Sequence, residues 1–162
     1  MTAADPITIR DAVASVVDPE IRAVTIEELG ILRDVAVETD GRTAVTITPT
    51  YSGCPAMDVI RADVVAAALA AGATDVRVQT NLAPAWSTDD ISANGRAKLA
   101  AAGIAPPGPA RRSGIVPLQI SVRCPRCGSP ATQELSRFGS TACKALWRCT
   151  ECGEPFDHIK AH

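Results

Sequence analysis

The chain has 162 residues, enough for one ordinary domain and a small second one, and its formal net charge of −2 gives no electrostatic basis for binding nucleic acid or an anionic membrane. Aromatic residues make up only 3% of the chain, so the core has to be built from small aliphatic side chains. No apolar run reaches the ~20 residues of a membrane span and the N-terminal residues do not resemble a signal peptide, so we expect a cytoplasmic protein.

Helical and strand periodicities alternate over the first two thirds of the chain. In chain order, the predicted elements are a helix over 5–17, strands over 31–37 and 43–48, a helix over 55–71, a strand over 75–80 and a helix over 92–102. Asp40-Gly41 separates the first two strands and is a strong signal for a two-residue hairpin turn. This αββαβα order predicts a small α/β or α+β domain over residues 1–107, with helices packed on a sheet.

Residues 108–117 are predicted to be a linker, because prolines and glycines are concentrated there. A second domain is expected over 118–162. It begins with a strand over 118–122, and the stretches 131–137 and 144–148 can pair as a hairpin. A unit of about forty residues has too little core to fold alone, so we expect a metal to hold it together.

Two Cys-x-x-Cys pairs flank that hairpin. They are Cys124, Cys127, Cys149 and Cys152. Each pair turns two thiolates from one tight loop onto a single ion, and two such loops supply a tetrahedral site. Four sulfurs leave no open position for water, which predicts a structural Zn²⁺ and a zinc ribbon. A rubredoxin-type iron uses the same ligands and stays open as an alternative, whereas two disulfides are disfavoured in a chain with no sign of export.

Basic residues lie beside the cysteine pairs in sequence. They are Arg123, Arg126, Lys144 and Arg148. Four thiolates around a divalent ion carry a net charge of −2, which these cations can offset. The alternative is that they are ordinary solvated side chains.

Three further residues have side chains of a type that can bind metal, and each needs its own assessment. Cys143 lies on the predicted hairpin, and we predict that it is not a ligand, because a closed tetrahedral site has no fifth place. His158 and His162 are spaced i, i+4 and could bind a second ion, but we expect them to be solvated near the end of the chain.

Cys54 follows Gly53 at the end of a predicted strand, and Pro55 fits the first turn of the next helix. This pattern predicts that Cys54 is the cap residue, with a pKa lowered by the free N–H groups and the positive end of the helix dipole. The alternative is a small apolar core cysteine. A cysteine on a glycine loop at the end of a strand lies where α/β sheets usually bind ligands.

Two more segments could flank Cys54. Asp18-Pro19-Glu20 supplies carboxylates from a turn, and residues 81–88, which include Trp86, leave the third strand as a rigid loop. Both would approach Cys54 if the strands are adjacent and parallel. Alternatively, Asp18 caps a turn and Trp86 is a core anchor.

These motifs are typical of known families. The turn at 18–21, the segment 28–32, Thr48-Pro49-Thr50 and Gly53-Cys54-Pro55 resemble the MIP18-like iron–sulfur assembly family, also called domain of unknown function 59, over roughly residues 5–107. The tail over 136–149 and 154–160 narrows the resemblance to the D subunits of phenylacetyl-CoA 1,2-epoxidase systems. One departure is Asp90, where the resemblance leads us to expect a large aromatic residue.

The resemblance implies a non-catalytic accessory subunit in aerobic phenylacetate catabolism that helps iron or iron–sulfur clusters enter the oxygenase or reductase subunits. It implies that Cys54 is the reactive cysteine, that Asp18 and Glu20 form its acidic turn, and that iron or a cluster is held there only transiently. The partners implied are the other epoxidase subunits, and a homodimer stays open.

The sequence bears on three other functions. A rubredoxin-like electron carrier to the oxygenase would hold iron in the ribbon. A nucleic-acid module is disfavoured by charge and aromatic content. A catalytic di-iron subunit is disfavoured because the chain has only two histidines, both near its end.

Overall fold

The computed structural model describes residues 5–108 and 121–161. The chain divides between Trp86 and Ser87 into two compact units.

The first unit begins with helix α1, Pro6–Ala14. Asp5 caps it, because its carboxylate accepts hydrogen bonds from the N–H groups of Ile7 and Thr8, both at 3.2 Å. The helix is shorter than predicted, since Val17 leaves the helical path and forms an isolated antiparallel bridge with Thr25.

A β-hairpin follows, as predicted. Strand β1, Leu32–Val37, pairs antiparallel with β2, Arg42–Ile47. Gly41 has a φ of 84°, which an L side chain rarely adopts, and it forms the turn with Asp40.

Helix α2, Ala56–Ala70, then leads to strand β3, Asp75–Thr80, which pairs in parallel with β2. The sheet therefore has the order β1-β2-β3. Helix α2 packs against α1 and β3. The fully buried side chains that these elements share are aliphatic, as the composition predicted. They include Ile9, Val13, Val45, Ile47, Ile60 and Val64.

The second unit starts with a 3-10 turn at Thr88–Asp90 and helix α3, Ala93–Ala101. Its sheet contains four strands: β4, Ile104–Ala105; β5, Thr132–Ser136; β6, Lys144–Cys149; and β7, Pro155–Ile159. The strand order is β4-β7-β6-β5, with β4 parallel to β7 and the other pairs antiparallel.

Sequence patterns predicted α3, β5 and β6 but missed β4 and β7. The limits predicted for the first domain, 1–107, and for the second, 118–162, stay predictions. Contacts place α3 and β4 in the second unit, because β4 adds an edge strand to β7.

Most of the predicted linker lies outside the described residues, and so do residues 118–120 of the strand predicted over 118–122. Ser121 and Val122, the rest of that predicted strand, are described and are not in a strand.

Among the residues that the structure describes, no helix has the length and apolar character needed to cross a membrane.

Candidate metal centre and the Cys54 loop

The four predicted cysteines come together in the second unit. Cys124, Cys127, Cys149 and Cys152 place their sulfur atoms within 4.8 Å of one another. The Cys124–Cys152 sulfurs are 3.8 Å apart and the Cys127–Cys149 sulfurs 3.6 Å apart. A tetrahedral ion with Zn–S bonds of about 2.3 Å requires sulfur–sulfur edges of about 3.8 Å. The four thiols therefore fit a zinc ion, and their sulfurs are too far apart for the disulfide alternative.

Backbone hydrogen bonds shape both cysteine loops. Gly128 N–H donates to Cys124 O at 2.8 Å, and Gly153 N–H donates to Cys149 O at 3.0 Å. Both glycines have positive φ values, 75° and 78°. Cys152 N–H lies 3.5 Å from Cys149 Sγ. This donor, with that of Glu151, lowers the pKa of Cys149 to about 7, whereas desolvation and the neighbouring thiols raise the pKa of Cys127 to about 12, so Cys149 is the thiol that loses its proton more readily.

The cluster rests on a small apolar core in which two of the ligands take part. Its members are Ala105, Val122, Cys124, Ala145, Trp147, Cys149 and Phe156. Strand β4 contributes Ala105, so the segment that sequence reasoning missed helps to cover the metal site.

The basic residues near the cysteines have different roles. Arg123 Nη1 donates to Gly128 O at 3.1 Å. Arg126 pairs with Glu154, and this carboxylate, together with the charges of the nearby cysteines, raises the pKa of Arg126. Lys144 is 4% exposed, and its ammonium contacts Ser140 and Asp157 instead of the metal site. Arg148 is exposed to solvent, as the alternative interpretation expected.

Cys143 is buried and lies outside the four-cysteine group, in agreement with the prediction that it is not a ligand. Its sulfur is 3.1 Å from Thr141 Oγ1, and its backbone carbonyl accepts a hydrogen bond from Lys160 N–H.

The expectation of a solvated His158 is wrong. His158 lies on β7 and is 4% exposed, in an edge-to-face contact with Trp147 whose ring centroids are 5.9 Å apart. Burial lowers the pKa of His158 to about 4, because the charged ring would lose its hydration. The neutral ring acts as a packing group, and it was missed because position near a chain end suggested exposure. His162 lies outside the described residues.

The loop that carries Cys54 leaves the carboxyl end of β2 in the first unit. Gly53 has a φ of 82°, and Cys54 N–H donates to Tyr51 O at 3.4 Å. The cap residue of α2 is Pro55, so the prediction that Cys54 caps the helix is wrong by one residue. Cys54 still takes part in the first turn, because its carbonyl oxygen accepts a hydrogen bond from Met57 N–H at 3.3 Å.

The pKa of Cys54 also differs from the prediction. Burial raises it, and the negative charges of Glu20 and Asp18 add to the rise. Hydrogen bonds from Ala56 N–H and the Tyr51 side chain act in the opposite direction but do not prevail. The helix end does favour the thiolate, as expected, but sequence patterns could not foresee the desolvation of a half-buried thiol next to two carboxylates.

The acidic turn therefore lies in the electrostatic environment of Cys54, as predicted. Asp18 is 5% exposed, and its Oδ1 accepts hydrogen bonds from Glu20 N–H at 2.9 Å and Ile21 N–H at 2.7 Å. Asp18 therefore caps a turn, as the alternative interpretation expected, and its role at the Cys54 site stays a prediction. Glu20 is partly exposed, and its negative charge acts on the Cys54 thiol.

A small cleft opens beside this loop, with a volume of about 100 Å³. It is lined by residues 48–52 together with Leu82, Ala85 and Trp86. Trp86 is 7% exposed, and its Nε1 donates to Leu29 O at 2.8 Å, so it anchors the wall of the cleft. Because β2 and β3 are parallel, the loops after them meet at the same edge of the sheet, as the sequence predicted.

The unexpected Asp90 has a clear local role in the second unit. Its Oδ2 accepts a hydrogen bond from Ser87 N–H at 2.8 Å, which completes a reciprocal capping box on the 3-10 turn.

Together, the fold and the two sites define a class of protein in which a small helix-and-sheet unit precedes a four-cysteine ribbon. Family profiles match both parts: an iron-sulfur cluster assembly protein over residues 7–80, and a PaaD zinc beta ribbon domain over 113–160.

One curated relative covers nearly the whole chain. An Escherichia coli K12 protein assigned as the D component of 1,2-phenylacetyl-CoA epoxidase is 46% identical over 143 residues, which span 88% of this chain and 85% of the relative. The chain belongs to the family of this D component of the epoxidase, as the sequence motifs indicated.

Other relatives match the first part of the chain. A Bacillus subtilis Fe-S protein maturation auxiliary factor is 40% identical over 88 residues, covering 52% of this chain and 82% of that protein. A Bacillus anthracis structure of the domain of unknown function DUF59 is similar with a TM-score of 0.53, 26% identity, and coverage of 58% of this chain and 90% of that one. A Thermotoga maritima protein shares the fold, with a TM-score of 0.51, 23% identity and coverage of 61% and 97%.

Proposed function

We propose that this protein is a non-catalytic accessory subunit of a phenylacetyl-CoA epoxidase and delivers iron or an iron–sulfur cluster to the oxygenase or reductase subunits. The observation that supports it most directly is the position of Cys54: a half-buried thiol at the carboxyl edge of a sheet, on the loop whose preceding residues line a cleft, with a pKa that responds to two carboxylates. That thiol lies in the unit whose sequence matches iron-sulfur cluster assembly proteins.

The Cys54 site suits transfer better than storage. Among the described residues, the ribbon cysteines alone form a group of three or more ligating side chains within reach of one ion. Cys54 offers one thiolate, so cargo held there completes its coordination with outside ligands and can leave by exchanging them. Transfer is then a ligand exchange: the bond from iron to Cys54 Sγ breaks, a bond to a client ligand forms, no electron moves, and the thiolate regains a proton.

The carboxylates of Glu20 and Asp18 favour this chemistry. They disfavour a bare thiolate at Cys54, but a cation bound to the sulfur reverses the sign of their interaction from repulsion to attraction. The neutral thiol therefore predominates without cargo, and the bound form gains from both negative charges.

In the ribbon, we infer a structural zinc held by Cys124, Cys127, Cys149 and Cys152. The match to a zinc ribbon profile and the sulfur spacing both support this ion. Zinc would hold the two cysteine loops together and, with its coordination closed, would take no part in hydrolysis. The electron-carrier alternative requires ferric thiolate in the same place, which colours aerobically purified protein red, whereas the zinc form is colourless.

The test is metal and sulfide analysis of protein reconstituted with iron and sulfide without oxygen. Wild type should bind iron beyond its zinc, and Cys54→Ser should lose that iron while keeping the zinc. Cys143→Ser is the matched control, because it makes the same atomic change at the other cysteine outside the ribbon site. Equal iron binding by wild type and Cys54→Ser would refute the role of Cys54.

A further inference from the structure

The β5–β6 hairpin of the second unit presents two apolar side chains to solvent at its closed end. Phe138, in the connecting loop over 137–143, is 74% exposed, and Leu135 near the end of β5 is 51% exposed. Leu135 lies where the pairing register shifts in a β-bulge. Bulges redirect side chains and are frequent beside functional sites. The chain has only five aromatic residues, so an exposed phenylalanine is one of few large apolar side chains and does not contribute to the core.

The backbone of this loop is closely fixed. Gly139 N–H donates to Lys144 O at 2.9 Å, and Lys144 N–H donates to Thr141 O at 3.1 Å. A Cβ atom on Gly139 would lie 3.0 Å from Asp157 Oδ1 and 3.1 Å from Lys144 Cβ, which is closer than side chains normally approach. Phe138 itself is tied by its N–H, which donates to Ser136 Oγ at 3.1 Å.

An ion pair between the buried Lys144 and the partly exposed Asp157 supports the same loop. Lys144 Nζ donates to Ser140 Oγ at 3.1 Å and lies 3.8 Å from Asp157 Oδ2, and Ser140 Oγ donates to that carboxylate at 3.0 Å. Burying a lysine is costly unless the charge is paired and hydrogen-bonded, as it is here. Lys144 and Asp157 compensate each other, so neither adds to the outward charge of the loop.

The charge that the loop does present is positive. Lys160 Nζ lies 5.3 Å from the centroid of the Phe138 ring and donates to Arg137 O at 3.1 Å. The Arg137 side chain is 87% exposed, and its Nε is 3.9 Å from Glu134, which is a weak surface pair. Two cations thus accompany Phe138: Arg137 on the same loop and Lys160, which follows β7.

We propose that Phe138, with Arg137 and Lys160, forms a docking surface for a partner protein that offers an apolar pocket rimmed by carboxylates. Aromatic and arginine side chains dominate binding hot spots, and complementary charge sets the approach and specificity. A loop that is already ordered loses little entropy on binding. The partner is an iron-carrying subunit of the epoxidase, so the inference rests on the proposed function for the identity of the partner, but not on the chemistry of Cys54.

The test is calorimetric titration of the full-length, zinc-loaded protein with each purified iron-carrying subunit. Phe138→Ala should weaken the Kd by about tenfold or more, as truncation of an aromatic hot spot does, and Phe138→Trp should retain binding. The matched control is Ile7→Ala on α1, because Ile7 is 70% exposed and yet lies in the other unit. Arg137→Glu should weaken binding and reduce its dependence on salt.

Other outcomes would overturn the proposal. The first two are no binding of any subunit to wild type and equal binding by Phe138→Ala and Ile7→Ala. Loss of a dimer in sedimentation with Phe138→Ala would assign the surface to a second copy of the chain. Loss of binding to anionic lipid vesicles with Phe138→Ala would assign the surface to a membrane. Cys54→Ser separates the two hypotheses: it should bind the subunit normally and fail to load it. Full loading by that variant would defeat the proposed function and leave docking intact.

Discussion

Replacing Cys149 with serine should unfold the second unit and leave the first unit folded. Cys149 is fully buried and belongs both to the metal site and to the apolar cluster with Trp147 and Phe156. A structural zinc of this kind contributes about 10–16 kcal/mol to folding. A folded domain is stable by only about 5–15 kcal/mol, so loss of the metal should outweigh the remaining stability of this small unit.

Hydrogen exchange with mass spectrometry is the suitable assay. Amides of β5, β6 and β7 should lose protection in Cys149→Ser, and those of β4 should follow because β4 pairs only with β7 in the described sheet. Amides of β2 and α2 should be unchanged, and about one zinc equivalent should be released. Cys143→Ser should keep both zinc and protection. Persistent protection of β5–β7 in Cys149→Ser after confirmed zinc loss would refute the reasoning.

Three further outcomes are expected. Glu20→Gln should lower the pKa of Cys54 and speed its alkylation by iodoacetamide at pH 8, whereas Glu38→Gln on the β1–β2 hairpin should not. Equal alkylation rates in the two variants would show that the charge of Glu20 does not raise the pKa of Cys54. Iron binding at Cys54 should strengthen as pH rises towards its raised pKa, because the thiol must release a proton, and a pH-independent affinity would exclude thiolate ligation. Gly139→Ala should destabilise the second unit by about 1–3 kcal/mol in denaturant unfolding, because the new Cβ meets Asp157 and the Lys144 backbone, and unchanged stability would show that the loop can move away.

Local sequence patterns were sufficient for much of the fold. The structure contains the turn at Asp40-Gly41 between two alternating strands, and it contains the helix end that Gly72 predicted. Both features depend on the conformational preferences of neighbouring residues. The four ribbon cysteines were equally predictable, because their spacing alone specifies how two loops can surround one ion.

The remaining features depend on contacts between distant segments. Strand β7 is short and begins at Pro155, and β4 has two residues, so neither has enough periodicity to be recognised before its neighbours are known. Lys144 is near a cysteine in sequence, but its position on β6 directs its ammonium to Asp157 on the neighbouring strand. The raised pKa of Cys54 arises from burial and from a turn more than thirty residues earlier, which no local motif encodes.

If Cys54 supplies iron to the epoxidase, the iron content of the oxygenase and reductase subunits should depend on whether they are produced together with wild-type protein or with Cys54→Ser. The expected result is that at least one of these subunits is poorly loaded and less active with Cys54→Ser, although the variant itself keeps its fold and its ribbon metal. Subunits that are fully loaded and fully active with Cys54→Ser would contradict it.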